Sequence, residues 1–156
     1  MLNTQPYLLS GSERLRQWKL FRETFTDDQT DEEQLLQAEN YWRQYPYVER
    51  NLDPYDSETW PTPWEILHSD GLCKVSVAYL IEQTLLFADD RWTQDRFNLM
   101  YIRDRSLSAE FMILVVDTKY VVNYSLNEIV NYDNIKIKCD ILQKYSLNDK
   151  KHLASD

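Results

Sequence analysis

Residues 60–73 read WPTPWEILHSDGLC, and this stretch decides how the rest of the chain is interpreted. Thr62, Pro63 and Glu65 have the types and spacing of a capping box around a helix start, which predicts a short helix. A Ser-Asp-Gly turn then leads to Cys73 and the apolar segment that follows it. The sequence therefore places a single cysteine at the N-terminal end of a buried helix.

The segment after this cysteine is the longest apolar helix of the chain. From about residue 72 to residue 87 most side chains are apolar, and Ser69 or Asp70 is expected to cap the segment. A helix that is apolar on most of its surface must be buried. We therefore expect residues 72–87 to form the central helix of the fold.

Further along the chain the hydrophobic period changes from 3.6 to 2, which predicts strands. The expected strands are residues 97–103 (FNLMYIR), 111–116 (FMILVV) and 120–124 (YVVNY). Residues 125–128 are expected to form one helical turn, and residues 135–141 (IKIKCDI) a last strand. The sheet should be antiparallel, with FMILVV in its middle.

The N-terminal part is predicted to be helical. A Ser-x-x-Glu box begins at Ser10 and a Thr-x-x-Glu box at Thr30, and each precedes an amphipathic pattern. We expect a first helix over residues 13–25 and a second that ends before Pro46, because the proline ring cannot continue it. Together they would form a helical hairpin over residues 13–45.

Helices followed by antiparallel strands predict an α+β fold. We expect the N-terminal helices and the central buried helix to pack on a three- to four-stranded antiparallel sheet. The 156 residues are expected to form a single domain. It would consist of the helical hairpin, a core over residues 60–142 and a mobile polar tail over residues 146–156.

The Trp-Pro turn, the short helix, the Gly-x-Cys before a buried helix and the antiparallel sheet together resemble transglutaminase-like cysteine hydrolases of the papain-like group. The resemblance covers about residues 60–124 and implies a transglutaminase-like core with Cys73 at the nucleophile position. A helix N-terminus suits that role because its free N–H groups and dipole stabilise a thiolate.

The sequence departs from that family at the other catalytic positions. The family has acidic neighbours beside its cysteine, and here they are absent. The family's histidine base begins the strand after the cysteine helix, where this chain has Ala109 and Glu110, and no histidine occurs between His68 and His152. Without an imidazole, no obvious group removes the thiol proton. The core is therefore expected to be degenerate, with no catalytic residue.

If the chain were nevertheless an enzyme, its candidate residues would be Cys73 as nucleophile and His68 as base. Asp117 or Asn123 would then stand at the third, orienting position. The simpler interpretation is that Cys73 is a buried small hydrophobic side chain.

A second resemblance extends over residues 15–131. The Trp-Lys-x-Phe-Arg helix, the acidic spacer, WPTPWE, the cysteine helix and the ILVVD-TKYVVNYS hairpin are similar to small proteins of contractile-tailed phages of cyanobacteria and marine bacteria. That family has no clear assigned activity. The resemblance implies a phage origin.

Composition excludes several classes of function. A net charge of −9 opposes binding to nucleic acid or to anionic membranes. Two glycines are too few for a phosphate-binding loop, and two cysteines form neither a disulfide framework nor a ligand pair. We therefore expect no cofactor, no metal, no nucleic acid and no membrane partner, and a protein that is not secreted.

Aromatic residues are abundant, with five tryptophans and eleven tyrosines. Such a cluster is either core or a surface for a protein partner. The second interpretation assigns partner binding to Tyr41, Trp42, Tyr45, Tyr47, Tyr55 and Trp60.

These observations predict a non-catalytic structural or interaction protein of a tailed phage. The expected setting is the virion, as an accessory of the neck, tail or baseplate that binds other phage virion proteins. One alternative is a cysteine hydrolase or acyltransferase with Cys73 as nucleophile. Another is a protein that binds a host enzyme in the cytoplasm of the infected bacterium. The oligomeric state stays open.

Overall fold

The computed structural model describes residues 9–45, 52–68, 73 and 75–146. The helices are α1 (Gly11–Arg22), α2 (Asp31–Trp42), α3 (Pro63–His68), α4 (Ser76–Ala88) and α5 (Tyr132–Lys138), with short 3-10 helices at Ser57–Thr59 and Gln94–Arg96. The strands are β1 (Phe97–Asp104), β2 (Ala109–Val116), β3 (Tyr120–Ser125), β4 (Glu128–Asn131) and β5 (Cys139–Tyr145). The α+β fold is confirmed.

Capping boxes start three of the helices, as the sequence predicted. The Ser10 hydroxyl accepts a hydrogen bond from the N–H of Glu13, and the Glu13 carboxylate accepts one from the N–H of Ser10. The same reciprocal pair joins Thr30 to Glu33 at α2. A third such box precedes α3. Each box satisfies N–H groups that the helix itself leaves without partners.

The five strands form one antiparallel sheet in the order β4-β3-β2-β1-β5. Asp104 pairs with both Ala109 and Cys139, so these residues mark one end of the sheet. Phe97 pairs with Val116 at the opposite end. The end of β3 and the start of β4 lie at the same end as Ala109, because β3 runs antiparallel to β2.

Both faces of the sheet are covered. Alternate strand residues such as Leu99 and Leu114 join one hydrophobic cluster with α1 to α4, whereas Met100 and Ile113 join a second cluster with α5. Buried residues on both faces explain why β2 reads as a continuous apolar run. The central helix α4 is buried over ten of its residues, as expected.

The last strand lies further along the chain than the sequence predicted. Residues 135–138 belong to α5, and β5 begins at Cys139. After β4 ends at the far end of the sheet, the chain must return to the Asp104 end before β5 can start, and α5 makes that return. Tyr132, Ile135 and Cys139 have helical spacing and are all buried, whereas Ile137 is 71% exposed.

Several other boundaries also differ, since α1 spans Gly11–Arg22 instead of residues 13–25 and β2 begins at Ala109 instead of residue 111. Residues 125–128 form the turn between β3 and β4 rather than a helical turn. The sheet therefore contains β4, a strand that the sequence did not predict. The central helix begins at Ser76 instead of residue 72. The caps predicted at residues 69 and 70, and the tail after residue 146, lie outside the described residues.

Candidate functional site at the start of the central helix

Cys73 lies three residues before α4, not in its first turn. Its N–H donates a hydrogen bond of 2.9 Å to the Ser76 hydroxyl, which in turn donates to the Cys73 carbonyl at 3.2 Å. The residue is 1% exposed and belongs to the larger hydrophobic cluster. Cys73 is therefore a buried residue of that cluster.

A pocket of about 580 Å³ opens beside the start of α4, where α2, the start of β2 and the end of β3 also meet. The two helices and the residues that follow α2 contribute Glu39, Trp42, Arg43, Tyr45 and Val77. The two strands and the turn after β3 contribute Ala109, Phe111, Asn123, Tyr124, Ser125 and Leu126. Among the described residues that line it, there is neither a cysteine nor a histidine. The pocket therefore lies between the start of the central helix and the strand that begins at Ala109.

Neither residue at the expected base position can replace a histidine. Ala109 carries no proton acceptor in its side chain. The Glu110 carboxylate accepts two hydrogen bonds from the Arg103 guanidinium, at 2.7 and 3.0 Å, and another from the Tyr101 hydroxyl at 3.1 Å. These three hydrogen bonds tie the Glu110 carboxylate to side chains of the neighbouring strand β1.

The proposed triad members Asp117 and His68 are held elsewhere. Asp117 lies in the turn after β2, and the guanidinium of Arg96 binds its carboxylate at 2.7 and 2.9 Å. Eight residues of β2 separate the pocket end from this turn, a length of about 25 Å. Asp117 therefore cannot orient a base at the pocket. His68 ends α3 and packs against Gly11, the first residue of α1.

Asn123, the other candidate for the third position, does line the pocket. Its side-chain amide donates to the Met112 carbonyl at 2.9 Å, and its backbone adopts a φ of 67°. Its N–H donates at 2.8 Å to the Glu39 carboxylate, which thereby fixes this unusual backbone conformation. The side-chain amide of Asn123 therefore has a structural partner and does not orient a catalytic base.

Glu39 is the functional-site residue that sequence reasoning missed. It is 1% exposed, and its second carboxylate oxygen lies 3.0 Å from the Arg43 guanidinium. Burial raises the pKa of Glu39 above its usual value, although the Asn123 N–H and the Arg43 charge oppose that effect. The sequence did contain a signal for this buried carboxylate, because Glu39 is a charged residue between Leu35 and Trp42 on the apolar face of α2.

A second buried carboxylate supports one wall of the pocket. Asp104 accepts hydrogen bonds from the Tyr124 hydroxyl, from the Ser106 N–H and hydroxyl, and from the Leu107 N–H. Burial alone would raise the pKa of Asp104, but these hydrogen bonds outweigh it and lower the pKa to about 2. Burial and the Asp104 charge raise the pKa of the neighbouring Cys139 thiol. This arrangement holds the Tyr124 ring and leaves Cys139 protonated near neutral pH.

The aromatic residues proposed as a partner surface are mostly core. Tyr41, Trp42, Tyr45 and Trp60 are each between 1% and 7% exposed, so they cannot form an exposed surface as they stand. For Trp42, burial is possible because its indole N–H donates to the buried Thr84 hydroxyl at 3.1 Å, a partner that the sequence does not reveal. Tyr55 is 54% exposed, and Tyr47 lies outside the described residues.

Neither a metal cluster nor a membrane span is found within the described parts of the chain. No group of three or more His, Cys, Asp or Glu side chains there has the geometry of a metal site. No helix there is long and apolar enough to cross a membrane.

Solved structures of LapG from Legionella pneumophila have a similar fold. The calcium-bound and EGTA-treated forms each give a TM-score of 0.68 at 14% identity, covering 90% and 91% of this chain and 80% and 78% of theirs. A further LapG structure gives 0.70 at 16% identity, covering 95% of this chain and 87% of LapG. LapG is a transglutaminase-like cysteine protease, so this chain has a transglutaminase-like fold. No protein-family model and no curated protein matches the sequence.

Proposed function

We propose that the protein is a non-catalytic interaction protein that uses a transglutaminase-like core as a scaffold. The observation that carries this proposal is the pocket beside α4, where Ala109 stands at the expected position of the base. Cys73 lies in the hydrophobic cluster and does not line the pocket. A cysteine hydrolase needs an accessible thiol, whereas Cys73 is 1% exposed.

The alternative of a cysteine hydrolase or acyltransferase would require a large rearrangement. Cys73 would have to leave the core, and His68 would have to leave its contact with α1. Asp117 would have to cross the length of β2 and break its two hydrogen bonds to Arg96. Each change opposes the packing that holds the fold together, so the non-catalytic proposal is the simpler one.

The proposed setting is a tailed phage, with the protein as a virion accessory of the neck, tail or baseplate. This setting rests on the resemblance of residues 15–131 to small proteins of contractile-tailed phages. A core without catalytic groups fits a protein that acts by contact with other virion proteins. It fits equally a phage protein that binds a host enzyme in the cytoplasm of the infected bacterium, which is the second candidate.

Mass spectrometry of gradient-purified virions tests the setting. We expect peptides of this chain at a constant ratio to the tail proteins, retained after a high-salt wash that removes loosely bound host proteins. An excess of the chain in infected-cell lysate, with none in the washed particle, would contradict the virion setting and favour the host-binding role.

A further inference from the structure

The pocket beside α4 has the size and chemistry of a binding site. Its volume of about 580 Å³ lies within the usual range for ligand pockets. Four aromatic residues line it, namely Trp42, Tyr45, Phe111 and Tyr124. Phe111 and Tyr124 are half-buried, and their ring centroids are 6.0 Å apart. Such walls suit one large apolar side chain, because aromatic rings bring large contact area at low entropy cost.

Arg43 is the charged group that an occupant of this pocket would meet. Its side chain is 29% exposed, whereas Glu39 beneath it is 1% exposed. The two Nη atoms contact Asn40 at 3.1 Å and Glu39 at 3.0 Å, and the Nε–H makes no hydrogen bond within the described residues. A guanidinium with a donor left over favours an acidic group on the occupant.

Exposed apolar residues surround the same end of the sheet. Leu126 lines the pocket and is 76% exposed. Leu107, in the turn between β1 and β2, is 64% exposed, and Ile137, at the end of α5, is 71% exposed. The strand pairing places Leu107 and Ile137 at the Asp104 end of the sheet, because β2 and β5 both begin there. Apolar side chains spread beyond the pocket suit an extended partner better than a small molecule.

The exposed charges at this end of the sheet are mostly paired. Arg103 pairs with Glu110, and Arg105 pairs with Asp140. The partner of Arg43 is buried, so the exposed part of that pair is basic. The exposed Glu128 also lies at this end, opposite Ser125, so the positive charge is local to Arg43. An acidic side chain of a partner would therefore be attracted at the pocket, which Arg43 lines.

We propose that the Asp104 end of the sheet docks a polypeptide segment of a partner protein. The segment inserts one large apolar side chain into the pocket and places a neighbouring acidic side chain against Arg43, while its flanks cover Leu107 and Leu126. This inference rests on the proposed function as an interaction protein and gives that function a surface. Of the aromatic residues that the sequence assigned to partner binding, Trp42 and Tyr45 line this pocket.

A titration of the isotope-labelled protein with three matched peptides tests the proposal. The peptides are acetyl-Ala-Phe-Glu-Ala-amide and its counterparts with Gln or Lys in place of Glu. Binding is followed by changes in the backbone amide chemical shifts of the protein. We expect shifts at Ala109, Phe111 and Ser125 with all three. The Glu peptide should bind about threefold more tightly than the Gln peptide, since an exposed ion pair contributes less than about 1 kcal/mol. The Lys peptide should bind most weakly.

Two variants separate the role of Arg43 from general effects on the fold. Glu39→Gln keeps the guanidinium and should retain the preference for the Glu peptide. The double variant Glu39→Gln, Arg43→Gln removes both charges of the pair, so that no buried charge is left without a partner. It should bind the Glu and Gln peptides equally. Equal affinities in the unaltered protein, binding by none of the peptides, or shifts confined to other surfaces would each overturn the proposal. The virion measurement is independent of these outcomes.

Discussion

Replacement of Trp42 by alanine is expected to lower the free energy of unfolding by about 3–5 kcal/mol, because the cavity left by a fully buried ring cannot collapse completely. Trp42 is 1% exposed and packs against Tyr41 and Tyr45 at centroid distances of 5.0 and 5.3 Å. It also lines the pocket beside α4. Urea unfolding followed by circular dichroism gives the measurement.

Tyr55 provides the matched control for Trp42. Both residues belong to the set that the sequence assigned to partner binding, but Tyr55 is 54% exposed. Tyr55→Ala should therefore cost no more than about 1 kcal/mol. A Trp42→Ala protein as stable as the Tyr55→Ala protein would show that the Trp42 ring is not part of the core.

Thr84→Val is expected to destabilise the protein by about 2–4 kcal/mol, although the two side chains have nearly the same shape. The Thr84 hydroxyl accepts hydrogen bonds from the indole N–H groups of Trp18 and Trp42, at 2.9 and 3.1 Å, and donates to the Leu80 carbonyl. Valine would leave both buried N–H groups without an acceptor, and each such group costs about 1–3 kcal/mol.

Thr84→Ser keeps the hydroxyl and removes only a methyl group, so its cost should be near 1 kcal/mol. The comparison of the two variants isolates the hydrogen bonds from the packing. If Thr84→Val were no less stable than Thr84→Ser, the two tryptophans would not depend on this acceptor.

The helix starts were predictable from sequence because they depend on neighbouring residues. A capping box needs only a hydroxyl and a glutamate three residues apart, and the boxes at Ser10, Thr30 and Thr62 all form. The alternation in β1 and the continuous apolar run in β2 also depend on local periodicity and were assigned correctly. These elements were sufficient to identify the α+β fold.

Features that depend on distant parts of the chain were not predictable. The segment from residue 135 alternates like a strand, yet its first four residues finish α5 because the chain must cross the sheet to reach its other edge. The burial of Trp42 depends on an acceptor 42 positions away at Thr84. Likewise, Glu39 meets the Asn123 N–H across 84 positions. The local sequence pattern does not indicate such long-range hydrogen bonds.

The absence of a histidine near Ala109 was visible in the sequence, whereas the geometry around Ala109 was not. The absence of a histidine near the strand that begins at Ala109 predicted a degenerate core. Only the structure shows that Ala109 lines an open pocket beside the Glu39–Arg43 pair. The further proposal of a docked peptide segment depends on that geometry.

The alkylation rate of Cys73 tests the central claim most directly. Native protein is treated with iodoacetamide at pH 6 and pH 8, and mass spectrometry resolves the Cys73 peptide from that of Cys139. Because Cys73 is 1% exposed, we predict that it reacts at least about tenfold more slowly than glutathione at both pH values and at the ordinary rate in urea. A Cys73 that reacts faster than glutathione at pH 6 would reveal an activated thiolate and contradict the account.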